Sequence, residues 1–310
     1  MTKQRMLGLI LFSSLYACGA VPQEAELAGP NAPATQESAL TTRKGKVNSE
    51  VTHLFVLGDS ISQGLGAESA ARSYAGLLYN NDDAAYPQDS TYDLRHLFGA
   101  HLAYTNVAHS GDTSRDVRYQ QLPRLAADPR DDKVGLGNTP VRGHVLVVMT
   151  IGGNDLQSAL RPNPNFTGNL LNSSIDNVQA IMDFFQDTER FPDGASIFFG
   201  NVYDITDGED QAHACLAGLA FPGFSHALEV WGHAYNELAY QRHATFIDLV
   251  SLFHGHGFNY ANPHNPYFNR KDPTLWVYDR DCVHPNNQGH HMLRRSFYRA
   301  IAQAFSEYKV

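Results

Sequence analysis

Four short stretches of the chain carry residue types suited to acyl chemistry. Gly58-Asp59-Ser60 follows an apolar run and precedes a glycine-rich turn with Gly64 and Gly66. A serine at the carboxyl end of a strand stands at the sheet edge with its backbone N–H free, a place for a nucleophile; the same placement also serves a turn or a helix cap. In Asp281-Cys282-Val283-His284 the carboxylate precedes the imidazole by three residues, a spacing that in a helical turn puts both on one face, where the carboxylate could orient the imidazole and stabilise its cation. Gly111, closing Asn106-Val107-Ala108-His109-Ser110-Gly111, can present an unobstructed backbone N–H. Asn154, in Gly152-Gly153-Asn154-Asp155, offers a side-chain amide. A backbone N–H and an amide are what a developing oxyanion needs, because neither competes as an acceptor there.

The elements that must position these groups follow from the hydrophobic pattern. Five short runs rich in β-branched or aromatic residues read as strands, at 53–57, 104–107, 145–151, 196–199 and 245–248. The third is apolar throughout except Thr150, as expected of a strand covered on both faces. Between them lie helical candidates at 177–187, 225–241 and 288–305, the first placing Val178, Ile181, Met182 and Phe185 at helical spacing. Strands alternating with helices predict a parallel sheet covered on both faces, in one domain over 48–310. Loop-like stretches at 202–224 and 254–280 lie on the carboxyl side of predicted strands, where open α/β sheets bind ligands.

In this order, and each placed after a predicted strand or before the last helix, the four stretches resemble the SGNH (GDSL-type) esterase and lipase family. The likeness spans about residues 52–305. It implies a three-layer α/β/α, flavodoxin-like fold on a five-stranded parallel sheet, with no metal and no cofactor. It further implies Ser60 as nucleophile, His284 as general base and then acid, and Asp281 as its orienter. The Ser60 N–H, the Gly111 N–H and the Asn154 amide would form the oxyanion hole. The substrate would be an ester, small or polymeric: a lipid, a thioester or an acylated carbohydrate. The Gly-x-Ser-x-Gly elbow of the α/β-hydrolases does not occur. The alternatives are a catalytically silent surface binding module on the same fold and an unrelated flavodoxin-like binder. Ser60 Oγ within hydrogen-bond reach of His284 would separate the first reading from the last.

Lys3 and Arg5 precede an apolar stretch at 6–15, the pattern of a secretory signal too short to span a bilayer. Leu15-Tyr16-Ala17-Cys18 resembles the lipobox of bacterial lipoproteins, which implies a signal peptide over 1–17 and lipidation of Cys18. Residues 18–47, rich in Ala, Pro, Glu and Thr without apolar periodicity, read as a flexible tether. Gly19 in place of an aspartate favours the outer membrane of an exported lipoprotein, its oligomeric state open. Cys215 and Cys282 would then be the only thiols in a disulfide-permissive compartment, and they are expected to pair.

A formal net charge of −9 argues against binding nucleic acid through a phosphate-neutralising surface. It also leaves any membrane attachment to a lipid anchor, since an acidic body is repelled by anionic headgroups. Among 15 histidines, His254, His256 and His264 lie closest together outside the Asp-x-x-His stretch. With glycines around them and no carboxylate at ligand spacing, they read as loop histidines, not a metal site. His290 and His291 are expected to face solvent or cap the last helix. Arg115 is expected on an exposed helix face. The aromatic residues of 258–278 would line a pocket or pack as a lid.

Overall fold

The computed structural model describes residues 50–126, 137, 140–160, 167–211 and 222–306. Five parallel strands run in the order β2-β1-β3-β4-β5: β1 (Val51–Gly58), β2 (Ala103–Asn106), β3 (His144–Thr150), β4 (Ala195–Gly200) and β5 (Thr245–Ile247). All five coincide with the apolar runs of the sequence. Every residue of β3 is buried, as its continuous apolar character requires. Period-two alternation divides the strand side chains between two cores. Phe55 and Leu57 of β1 with Val145, Val147 and Met149 of β3 face one; Leu54 and Val56 with Leu146 and Val148 face the other.

Helices cover both faces. On the first lie α7 (Thr167–Gln186) and α8 (Phe224–Gln241), which contribute Val178, Ile181, Met182 and Phe185, and Leu228, Trp231, Tyr235 and Leu238. On the second, α2 (Tyr74–Tyr79), α3 (Leu94–Phe98) and α10 (Asn287–Ser306) bring Tyr74, Leu78, Leu94, Leu293, Phe297 and Ile301. Fully burying one such side chain contributes about 1.5–3 kcal/mol, so these stripes hold the layers together. The remaining helices are short: α1 (Ser60–Gln63), α4 (Ser114–Asp116), α5 (Leu122–Ala126), α6 (Gly153–Leu160) and α9 (Leu249–Phe253). A π-helical stretch, Val117–Gln121, joins α4 to α5. α7 starts ten residues before the predicted helix at 177, because the stripe continues back through the partly buried Ile175 and Leu171.

The strand order places β1 between β2 and β3: the chain passes from β1 to β2 on one side and then crosses from β2 to β3 on the other. The crevice outside the carboxyl ends of strands at such a switch point is where open α/β sheets bind ligands. Ser60 follows β1, Gly111 follows β2 and Asn154 follows β3.

Candidate active site

The loop that carries Ser60 is set by β1 and the turn after it. Gly58 has φ +123°, and a Cβ there would lie 2.1 Å from the Thr150 carbonyl oxygen of β3, so the close strand approach needs glycine. Asp59 Oδ1 accepts the Ile61 N–H at 3.0 Å and caps α1, making Ser60 its first residue. Burial raises the Asp59 carboxyl to about 7; the Ile61 amide opposes this and the nearby Asp155 charge adds to it. Behind the loop, Ser62 Oγ lies 2.8 Å from both Tyr74 Oη and Thr150 Oγ1, tying α1 to α2 and β3.

Ser60 is 8% exposed, and its Oγ stands 2.7 Å from His284 Nε2. His284 Nδ1 is in turn 2.8 Å from Asp281 Oδ2. Asp281 Oδ1 accepts the backbone N–H groups of Val283 and His284, both at 3.0 Å. Burial pushes the Asp281 carboxyl up, but those amides and the imidazole outweigh it and hold it below the usual carboxylate range. The pair therefore meets through a side-chain-capped turn, not a helical face. Cys282, between them, adopts φ +65° and is 3% exposed. It is disulfide-bonded; Cys215, its expected partner, lies outside the described residues.

The turn is braced from several sides. Tyr278 N–H donates to His284 O at 2.7 Å, Cys282 N–H donates to Tyr278 O at 2.9 Å, and Val277 bridges Pro285. The Tyr203 hydroxyl donates to Val283 O, and burial keeps that phenol protonated by raising its pKa. A Cβ on Gly66 would lie 2.1 Å from Pro285 O, so the turn after Ser60 packs directly against the histidine turn.

The candidate oxyanion donors Gly111 and Asn154 sit on the two neighbouring loops. Gly111 has φ +87°, with nothing within 4 Å of where its Cβ would be. Neither its N–H nor that of Ser60 has an acceptor among the described residues. Asn154 donates one amide hydrogen to Asp112 O at 2.8 Å, which leaves its second for a ligand. The strand ends and loops are tied to one another: His109 N–H donates to Gly58 O of β1 at 3.1 Å, Ser110 N–H to Gln63 Oε1 of α1 at 2.8 Å, and Asp59 N–H to Thr150 O of β3 at 3.3 Å. A serine with an oriented imidazole beside unpaired N–H donors is equipped to open an ester carbonyl.

Residues 56–292 match the GDSL-like lipase/acylhydrolase family. The chain belongs to that family. As a GDSL-type hydrolase it is a serine esterase or lipase. It is 23% identical over 278 residues to the uncharacterized protein YpmR of Bacillus subtilis (strain 168), covering 85% of this chain and 89% of the relative. Among solved structures it is similar to an extracellular lipase from Streptomyces rimosus, at 18% identity and a TM-score of 0.47, covering 82% of this chain and 100% of the lipase. It is likewise similar to an acetyl xylan esterase from Geobacillus stearothermophilus, at 19% identity and a TM-score of 0.47, covering 83% and 96%.

The other candidate residues of this GDSL-type hydrolase fall into place around the site. His254 stacks on Tyr267 with centroids 3.7 Å apart, and His256 on Trp276 at 3.5 Å, its Nδ1 2.9 Å from Thr274 O. Among the described residues no group of three or more His, Cys, Asp or Glu is placed to hold a metal ion. Phe258 and Trp276 are buried in the second core, so this part of the aromatic stretch packs as a lid, while Tyr267 stays exposed. Arg115 is exposed, over the Tyr119 ring.

His290 and His291 depart from expectation: both are buried, at 0% and 4%. His290 Nε2 donates to Leu65 O at 2.8 Å, and its Nδ1 accepts the Tyr74 N–H at 3.2 Å. Burial lowers each imidazole to about 4. His291 joins Arg294 against the buried Asp89, at 3.2 and 3.1 Å, anchoring the stretch between α2 and α3 to α10. Their positions fit the apolar stripe of α10, which polar side chains can enter only when partnered. Gln121, Asp155 and Ser114, which tie the loops together, carried no sequence signal except that Asp155 closes the Gly152-Gly153-Asn154-Asp155 stretch. Cys18 and the segments 1–17 and 18–47 lie outside the described residues.

Proposed function

We propose that this chain cleaves carboxylic esters through an acyl-serine intermediate on Ser60. The observation that carries this reading is the unbroken line from Ser60 Oγ through His284 to Asp281, with contacts of 2.7 and 2.8 Å. Ser60 Oγ adds to the ester carbonyl carbon while its proton passes to His284 Nε2. The oxyanion faces the N–H groups of Ser60 and Gly111 and the second amide hydrogen of Asn154. Collapse breaks the bond to the alkoxy group, which leaves with the proton from His284. Water then adds to the acyl carbon and gives a proton to His284; collapse releases the acid and returns that proton to Ser60. Asp281, held ionised by its two amides, keeps Nε2 facing the serine and stabilises the imidazolium.

The acyl group would come from a lipid, a thioester or an acylated carbohydrate. Hydrolysis of p-nitrophenyl esters from two to sixteen carbons by the full chain, beside Ser60→Ala, tests this. Activity abolished by the substitution is expected, and the chain-length profile separates a deacetylase from a lipase. Undiminished turnover by the folded Ser60→Ala variant would overturn the assignment.

The same reading places the enzyme outside the cytoplasm, lipidated at Cys18, carried on the 18–47 tether and stiffened by a Cys215–Cys282 bridge across its histidine turn. Supporting it are the leader pattern and the left-handed, disulfide-bonded Cys282. Detergent-phase partition of the full chain, lost in Cys18→Ala, is the expected result; equal partition of both proteins would refute the anchor.

A further inference from the structure

The side-chain amide of Gln121 joins the nucleophile strand to both oxyanion loops. Gln121 is 1% exposed and closes the π-helical stretch Val117–Gln121, a local widening of the helix of a kind often found at functional sites. Its Oε1 accepts the Gly58 N–H at 3.0 Å, and its Nε2 donates to Gly58 O at 2.7 Å. β2 ends at Asn106; beyond it His109 N–H still reaches Gly58 O at 3.1 Å, and the Gln121 amide adds the acceptor for Gly58 N–H and a second donor to that carbonyl, as a neighbouring peptide would. The second hydrogen of Nε2 goes to Asp112 Oδ2 at 2.8 Å. Asp112 follows Gly111 in the chain, and its carbonyl receives Asn154 Nδ2 at 2.8 Å. One buried amide thus touches the residue two before Ser60 and the residue that holds both loop donors.

We infer that Gln121 is a positioning residue for the hydrolysis, fixing the spacing between Ser60 Oγ and the Gly111 and Asn154 donors. The inference rests on the assignment of Ser60 as nucleophile. Its effect falls on the transition state, since a donor displaced by a fraction of an ångström still admits substrate but no longer meets the oxyanion. Both amide hydrogens are needed: one sets the strand end, the other the loop.

Gln121→Glu tests this with shape nearly unchanged. Its ionised carboxylate cannot donate to Gly58 O and repels Asp112; its protonated form restores the two-point contact with Gly58. With p-nitrophenyl acetate and the full chain, kcat near pH 8 is expected to fall about 100-fold, with KM within about twofold. The ratio of variant to wild-type kcat should rise several-fold as pH falls toward 5.5. Asp112 with its partner His109, and Asp59 and Asp155 beside the Ser60 loop, are present in both proteins, so the ratio reads the effect of the new carboxyl. Unchanged kcat, or a ratio flat with pH in protein folded by circular dichroism, would overturn the inference. Should Gln121→Glu fail to fold, Gln121→Met decides: kcat reduced at constant KM is expected, and wild-type kcat refutes. Loss of fold in both variants would assign Gln121 to stability alone and also refute it. Ser60→Ala in the same assay separates the two failures: an active Ser60→Ala sinks the nucleophile, whereas an inactive one beside a fully active Gln121→Glu sinks only this inference.

Discussion

Asp155 holds Ser114 at two points: its Oδ2 accepts the Ser114 N–H at 2.9 Å and its Oδ1 the Ser114 hydroxyl at 2.7 Å. Ser114 is fully buried at the start of α4, three residues beyond Gly111, and Asp155 is the neighbour of Asn154. The loop after β2 and the loop after β3 are therefore held to each other at two points. A charge-assisted, two-point contact of this kind is worth more than two neutral hydrogen bonds and fixes direction as well as distance.

Asp155→Ala should accordingly lower both stability and turnover. Leaving the buried Ser114 N–H and hydroxyl hydrogen without an acceptor, though Asn177 Nδ2 still donates to its Oγ, costs about 1–3 kcal/mol. Thermal melting and p-nitrophenyl acetate kinetics check this, with kcat expected to fall about tenfold or more while KM changes little. A variant with full kcat would show that the loops hold their register without the clamp.

Two glycines of the site should respond oppositely to alanine. At Gly58 the added Cβ would meet Thr150 O at 2.1 Å, a backbone atom that cannot yield, so Gly58→Ala should not accumulate as folded protein. At Gly111 the space is open and only the left-handed backbone is penalised, by about 1–2 kcal/mol. Gly111→Ala should fold, melt lower and lose kcat as its N–H turns from the oxyanion. Circular dichroism of the two purified variants distinguishes them directly.

Stability should fall as the solution is acidified, in part through His290. The folded imidazole is held down to about 4, while an unfolded histidine titrates near ~6.5. Between those values the unfolded chain binds the extra proton, so the contribution is whole above ~6.5 and is lost as pH falls to about 4, amounting to about 3 kcal/mol. Asp59, raised to about 7, acts in the opposite sense across the same range, and His291 in the same sense as His290. His290→Gln can keep both the donor to Leu65 O and the acceptor for Tyr74 N–H. Its melting temperature should therefore depend less on pH between 7 and 4 than the wild type's; equal slopes would contradict the burial argument.

Reduction should loosen the histidine turn. Cys282 holds a left-handed backbone between Asp281 and His284, and a bridge to Cys215 would close a long loop, a constraint typically worth about 2–4 kcal/mol. Dithiothreitol, or Cys282→Ser, should lower the melting temperature and kcat together. Two free thiols titrated in denatured, unreduced Cys18→Ala protein would refute the pairing.

The strands, the layered fold and the residue types of the site were legible in the chain because each has a local signature. β3 announces itself by continuous apolarity, α7 by Val178, Ile181, Met182 and Phe185 at helical spacing, and the Asp281–His284 pair by its short separation. Short helices such as α2 and α9 left too brief a pattern to read, and the burial of His290 and His291 depends on partners far away in sequence, Leu65 and Tyr74 for the one and Asp89 for the other.

What the sequence by itself determined, then, is which residues are available for acyl chemistry and on which strand ends they stand, since hydrophobic period and turn residues act over a few positions. Only the tertiary structure decided that Ser60 meets a histidine 224 residues away, that Cys282 turns left-handed to bring Asp281 under that ring, and that the Gln121 amide joins His109 N–H at the end of β1. Those contacts join segments whose separation carries no periodic signal, and they form because the parallel sheet, packed on both faces, brings its strand ends together, where buried polar groups find partners across the loops.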